Sequence, residues 1–357
     1  MLTFKNFMVE SVQKIEEDYI AESIELLYEK LVVFNGGAKY GQIVFMSGGA
    51  GSGKGFASST FMESEKFKIR DVDEWKKAYL TLAKLKNKFP EIRSLNLKNS
   101  DDVFELHKFV KKKGIKDRTL NLLLNDARAD RLPNIIFDIT GKELNDFSDV
   151  LPNLEEAGYD PKNIHVAWVL TDYKVAYTAN LTRSRVVPAD VFLDTHQGAS
   201  KTMQGIINRG RLPFGMNGRF VVIMNNRENT IFFKPGEKYK GRTVPNAPAR
   251  VSNSILPNSI PEPVKGVKSF YYITVKDAGK SFRPEKKWKE ELHKQIVDNI
   301  PGGQDTIETL RQHALETLSG EVADKTAEGK DASKEMSGLD IVRVDIKKDK
   351  EKNNKQK

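Results

Sequence analysis

The stretch from Ile43 to Ser59, IVFMSGGAGSGKGFASS, constrains the chain more than any other. QIVFMS is apolar, β-rich and bounded by glycines, which predicts a short buried strand, and FASST continues as a helix. Between them Gly48, Gly53 and Lys54 satisfy G-x-x-x-x-G-K. Small residues at such a junction let backbone N–H groups wrap an anion, the helix N-terminus favours negative charge, and the lysine reaches a phosphoryl group. Gly48, Gly49, Ala50, Gly51, Ser52, Gly53, Lys54 and Gly55 therefore form the expected nucleotide-phosphate loop. Gly55 stands where a Ser or Thr hydroxyl ordinarily ligates magnesium. Water, Ser58 or Ser59 are the substitutes that the sequence offers.

The remaining pattern alternates strands with helices. FKIRD, NIIFDITG and NIHVAWVLT read as strands, RFVVIMNN and NTIFFKPG as two later ones, and DFSDVLPNLEEAG and PADVFLDTHQGASKTMQGIINRG as largely helical. This order predicts an α/β fold: a P-loop kinase-type parallel sheet flanked by helices. Residues 41–240 are its expected span, with a helical insertion over about 74–131 whose helices begin on Asp residues suited to N-caps. Residues 1–40 precede it as an amphipathic helical segment, since Val12, Ile15, Tyr19, Ile24, Leu27 and Leu31 recur at helical spacing. A C-terminal extension covers 241–320, beginning in a proline-rich arm. Low hydrophobicity and dense charge predict disorder over 321–357, with GLDIVRVDI as a short ordered or docking segment.

Carboxylates fall where such a sheet would use them. Asp71 and Asp73 follow the second strand, where either accepts a proton from a substrate hydroxyl, holds magnesium through water, or caps the next helix. Asp138 ends the third strand, followed by Thr140 and Lys142, and is the expected second metal-binding or substrate-orienting carboxylate. Arg183 and Arg185 offer two permanently charged planar groups for a lid over the phosphates.

Composition narrows the alternatives. The chain has 357 residues and no cysteine, and its five histidines never fall at metal-ligand spacing, so disulfides, thiolate chemistry and structural zinc are not expected. The net charge is +9, of which the last eleven residues, KKDKEKNNKQK, contribute +4. No apolar run approaches the roughly 18 residues that cross a bilayer, and the N-terminus carries acidic residues where a signal peptide would be apolar. No membrane partner and a cytoplasmic location are expected.

The order GGAGSGKG, IRDVDEWK, NIIFDITGKELNDFSDVLPNLEEAGYD and NIHVAWVLTDYKVAYTANLTRSRVVPADV resembles the zeta-toxin-like family of P-loop kinases over about residues 40–235. The resemblance implies Lys54 on the phosphates, Asp71 as the base, Asp138 and Thr140 on the substrate side, and Arg183 with Arg185 in the lid. It further implies ATP or GTP with Mg2+ and, as acceptor, a small molecule, with a sugar hydroxyl of UDP-N-acetylglucosamine as the family example. Two other readings stand beside it. One is a nucleic-acid kinase that uses the basic tail and the lysine-rich insertion. The other is a catalytically inactive nucleotide-binding protein whose termini bind protein partners.

Overall fold

Runs of apolar residues that cannot be read as alternating fix the core. IVFMS, IHVAWVL and FVVIM are buried along their whole lengths, as strands must be when helices cover both faces of a parallel sheet. The computed structural model describes residues 40–61, 67–70, 72–85, 88–124, 132–226, 229–232, 238–239, 242–243, 267–284, 286–302 and 307–355. The expected N-terminal amphipathic helix and most of the proline-rich arm lie outside these residues. Strands β1 (Ile43–Ser47), β2 (Lys68–Arg70), β3 (Ile135–Asp138), β4 (Ile164–Leu170), β5 (Phe220–Met224), β6 (Thr230–Phe232) and β9 (Val267–Lys276) form one sheet. Its order is β2-β3-β1-β4-β5-β9-β6. The first five strands are parallel, and β9 and β6 add antiparallel to that edge. Two short strands, β7 (Lys238–Tyr239) and β8 (Arg242–Thr243), pair separately.

The two-residue period of a strand divides the core. Phe45, Phe137 and Trp168 face one cluster, whereas Val44, Met46, Ile136, Ala167 and Val169 face the other. Helix α1 (Lys54–Phe61) buries Ala57 in the second. The first is covered by the short helices α5 (Asn145–Ser148) and α6 (Leu151–Glu156), by α8 (Ala189–Arg209) and by α9 (Lys286–Asn299). DFSDVLPNLEEAG is thus two helices and not one, because Pro152 suits a helix start and not an interior.

The insertion is a helical layer with its own core. In it α2 (Val72–Leu85), α3 (Ser100–Lys112) and α4 (Ile115–Leu124) bury Trp75, Tyr79, Leu106, Phe109 and Ile115 together. The cap of α3 is Asn99, whose side chain accepts from the N–H groups of Asp101 and Asp102. The aspartates expected to cap this helix lie instead in its first turn, where they favour the positive end of the helix dipole. Arg70 joins the layer to the sheet: its guanidinium is buried, bonds the Thr119 hydroxyl at 3.2 Å and the Lys116 carbonyl, and lies over the Phe137 ring.

From Glu321 the chain departs from the sequence reading. Instead of disorder from Glu321, helix α10 (Ile307–Ala327) runs past that point and α11 (Ser333–Lys355) follows it. Leu310, Ala314 and Leu318 recur every four residues along one stripe. They close with Leu339 and Val342 over α7 (Tyr173–Leu181) and over Val186, Val187 and Phe192. A stripe this narrow leaves most of each helix surface to charged and polar side chains. The helices are stable because they have a partner face and not because of their own propensity. Arg311 with Asp345 at 3.7 Å and Lys325 with Glu335 at 3.0 Å add ion pairs across the hairpin.

Truncation after residue 306 uncovers Tyr173, Tyr177, Leu181 and Val186, and we expect it to lower the melting temperature by many degrees. Leu318→Ala alone should cost about 3 kcal/mol in urea unfolding. A truncated chain that melts like the full one would show that the hairpin is not docked.

Candidate phosphate-transfer site

The loop between β1 and α1 can adopt its path only with glycine at several positions. Gly51 and Gly53 have φ of 72° and 82°. A Cβ on Gly51 would meet the Ala176 carbonyl at 2.4 Å, one on Gly53 the Asn225 amide at 2.2 Å, and one on Gly49 the His196 ring at 2.3 Å. These neighbours also hold the loop. The Ser52 carbonyl accepts from the Thr171 hydroxyl and from Asn225 Nδ2, both at 2.8 Å. The Ala50 N–H donates to Thr195 Oγ1 at 3.1 Å, and the Ala50 carbonyl lies 2.8 Å from His196 Nε2. A carbonyl can only accept, so Nε2 carries the proton. The Gly48 N–H and the Ser47 hydroxyl both donate to the Thr140 carbonyl, at 3.1 and 2.8 Å. Four elements therefore converge on the loop: the turn after β3, the ends of β4 and β5, and the second turn of α8.

What this clamp leaves unused fits a phosphate. The N–H groups of Gly51, Gly53, Lys54 and Gly55 have no acceptor among the described residues. They stand at the start of α1, where the helix dipole adds to them. Ser52 Oγ is buried in the loop without a hydrogen-bond partner. The Lys54 ammonium folds back over the loop, 2.9 Å from the Gly48 carbonyl and 3.4 Å from that of Gly49. It also lies 3.5 Å from Asp138 Oδ1, with both side chains largely covered. Backbone donors, a mobile cation and a carboxylate thus meet at the carboxyl ends of β1 and β3.

Gly55 is exposed, and a Cβ there would meet nothing within 4 Å. The two serines offered as substitutes are engaged in the helix itself. Ser58 Oγ donates to the Gly55 carbonyl at 3.0 Å and Ser59 Oγ to that of Phe56 at 3.1 Å. Of the remaining expected residues, Asp71 and the side chain of Asp73 lie outside the described residues. Arg70, which precedes Asp71, pairs in register with Phe137, which precedes Asp138. Lys142 pairs with Asp194.

Arg183 and Arg185 do not form a matched pair: the first is exposed and the second buried. Their segment is held by a two-way bond between the Asn180 side chain and the Val187 backbone, at 2.9 and 3.0 Å. It is also joined to the insertion by Val186 N–H donating to the Leu97 carbonyl at 3.0 Å. Asn180 is fully buried and replaces two backbone partners, which keeps this stretch from continuing α7.

Sequence reasoning missed Thr171, Asn180, Thr195, His196 and Asn225. The available signal was a set of polar residues at positions that the strand and helix patterns bury. His196 sits on the inward stripe of α8 with Phe192, Ala199 and Met203. Burial pushes its imidazole down to about 4, and the Lys54 ammonium acts in the same direction. His165, buried in β4 and bonded to Gln42 and Arg219, is pushed down to about 3 for the same reason.

A family model described as zeta toxin matches residues 34–236. No curated protein sequence matches the chain. Among solved structures, one from a study of the PezAT chromosomal toxin–antitoxin system of Streptococcus pneumoniae is 14% identical, with 58% of this chain and 76% of that one covered and a TM-score of 0.39. The AvrRxo1-ORF1:AvrRxo1-ORF2 complex with sulphate ions is 9% identical over 92% of this chain and 85% of that one, with a TM-score of 0.48. Its form with ATP is 10% identical over 93% and 83%, with a TM-score of 0.47.

The two buried histidines, His196 at the loop and His165 at the other end of β4, give the fold a pH signature. Both are neutral when folded, whereas the unfolded chain protonates them near the ordinary value of 6.5. Their contribution is therefore intact above about 6.5 and lost as pH falls from there, toward about 4 for His196 and about 3 for His165. We expect thermal stability to fall over that window, and His196→Gln, which keeps an N–H donor and does not titrate, to flatten part of the slope. An unchanged slope would mean that His196 is protonated in the fold.

Proposed function

Because the chain belongs to the zeta toxin family and carries a P-loop kinase-type site, we propose that it transfers the γ-phosphoryl group of ATP or GTP to a hydroxyl of a small-molecule acceptor, a nucleotide sugar being the first to test. The observation that carries this reading is the meeting of Lys54 and Asp138 at 3.5 Å beside a loop with unpaired N–H donors. In this reading the loop amides take the phosphate oxygens. Lys54 leaves its own loop carbonyls and follows the charge that develops on the transferring group. Asp138 and Thr140 orient the acceptor, and Asp71, next in the chain after Arg70, accepts the proton that the hydroxyl loses. Arg183 supplies exposed positive charge from the lid, while Arg185, already buried, sets the lid's position.

Magnesium, when bound, would neutralise phosphate charge and hold the two outer phosphates together. Among the described residues no three His, Asp or Glu side chains cluster as a metal site. Asp138 with Asp71 would therefore hold the ion chiefly in company with the phosphate oxygens, as magnesium generally prefers. Gly55 is compatible with this arrangement because the space beside it is open to water.

The test is incubation with γ-labelled ATP, magnesium and a panel of nucleotide sugars, nucleosides and oligonucleotides. Label should pass to a small hydroxyl acceptor. Lys54→Ala and Asp71→Asn should each reduce turnover by about a hundredfold or more, with the fold intact by circular dichroism. Asp138→Asn should weaken turnover while ATP binding persists. Gly55→Ser, unhindered by any neighbour, should leave activity equal or higher. ATP binding with no label in any acceptor would overturn the kinase reading, and turnover that survives Asp71→Asn would overturn the choice of base.

A further inference from the structure

A cavity lies at the opposite end of the sheet. The segment from Gly210 to Asn217, which leads into the first residue of β5, and the turn after Lys276, the last residue of antiparallel β9, enclose a cavity of about 710 Å³. Asn225, which holds the phosphate loop, follows the other end of β5, so a strand of five residues, about 15 Å, separates the cavity from that contact. The volume lies within the range that holds a drug-sized ligand.

The charge of the cavity is one-sided. Its lining contains Arg209, Arg211, Lys276 and Lys280 and no Asp or Glu. Lys276 is committed: its ammonium donates to the Asn217 carbonyl and side chain, at 3.1 and 2.8 Å, and to the Gly218 and Asp277 carbonyls, both at 3.0 Å. Asp277, the acid beside it, is taken by Arg283 at 3.0 Å and Arg219 at 3.7 Å. Arg209, Arg211 and Lys280 are exposed, and their side chains have no ion pair or hydrogen bond among the described residues. Three exposed cations thus line one concavity, and Asp277, whose charge acts on Lys280, is shared with Arg283 and Arg219.

The aromatic at the mouth is anomalous. The Met216 N–H donates to the Pro213 carbonyl at 3.2 Å, closing a turn whose central residues, Phe214 and Gly215, have φ of 53° and 74°. Such a turn wants Asn or Gly at both centres. A phenylalanine held there costs about 1 kcal/mol or more. Burial does not repay that cost, since Phe214 is 46% exposed and its ring lines the cavity. A flat apolar ring beside three exposed cations is a surface for a flat base that carries a phosphate.

We propose that this cavity is a second, non-catalytic site for a nucleoside phosphate, with the phosphate among Arg209, Arg211 and Lys280 and the base against Phe214. It does not depend on the phosphate loop being active. The experiment is calorimetric titration of the full chain with ADP at low ionic strength. The wild-type chain should bind two ADP. Arg209→Glu with Arg211→Glu should abolish one binding event and keep the other, and Lys54→Ala should do the reverse. Phe214→Gly, which relieves the backbone, should raise the melting temperature yet weaken the second event by about tenfold. Inorganic phosphate, having no base, should bind this site more weakly and be indifferent to Phe214. Whether the wild-type chain binds one ADP or two, a double charge reversal that removes no binding event would overturn the proposal. Displacement of that ADP by a single-stranded oligonucleotide at lower concentration would overturn it in favour of a polymer.

Discussion

The three bonds that fix the carbonyls of Ser52 and Ala50 are the constraint on which the rest of this protein is arranged. A glycine-rich loop has many conformations, and its donors converge on one point only if something else removes that freedom. Here the freedom is removed from outside, by the Thr171 hydroxyl and Asn225 amide on one carbonyl and by His196 on the other. Each comes from a different element, so the loop is formed only when β4, β5 and α8 are in place. The same bonds leave the N–H groups at the helix start unspent. Preorganisation of this kind is what allows a site with little covalent chemistry of its own to act on charge.

The C-terminal hairpin belongs to this arrangement. Its apolar stripe packs on α7, and α7 presents the Ala176 carbonyl against Gly51. Ala50 also packs against that cluster, so the hairpin, α7 and the loop form one stack. Val186 and Val187 bring the arginine-bearing segment into the same cluster. The family match ends at residue 236, yet the residues beyond it support the face that the matched part uses. Asn226 at the end of β5 bonds Asn299 at the end of α9 at 2.6 Å, a second tie between the two parts.

Much of this was legible in the sequence where local pattern and tertiary role coincide. The continuous apolar runs of β1, β4 and β5 can only be buried parallel strands, and Gly-x-x-x-x-Gly-Lys between strand and helix has a single backbone reading. The hairpin was legible only in part: GLDIVRVDI, expected as a short ordered or docking segment, supplies Leu339 and Val342, but the charged stretches around it hide a helix that runs from Ser333 to Lys355 until its partner face is seen. The clamp residues were hidden for a different reason. A Thr or Asn at a strand end looks like a turn residue, and His196 looks like a core histidine, until the loop is seen against them. The depths of Arg183 and Arg185 were equally hidden, since a spacing of two says nothing about which side chain the Asn180 clamp turns inward.

The most direct measurement is a crystal structure of the full chain with magnesium and a non-hydrolysable ATP analogue. The account predicts the outer phosphates in the loop between Gly48 and Gly55, with His196 and Asn225 still on their loop carbonyls. Lys54 Nζ should have moved from the carbonyls of Gly48 and Gly49 onto phosphate oxygen. A nucleotide bound elsewhere, with Lys54 still folded onto its own loop, would contradict it.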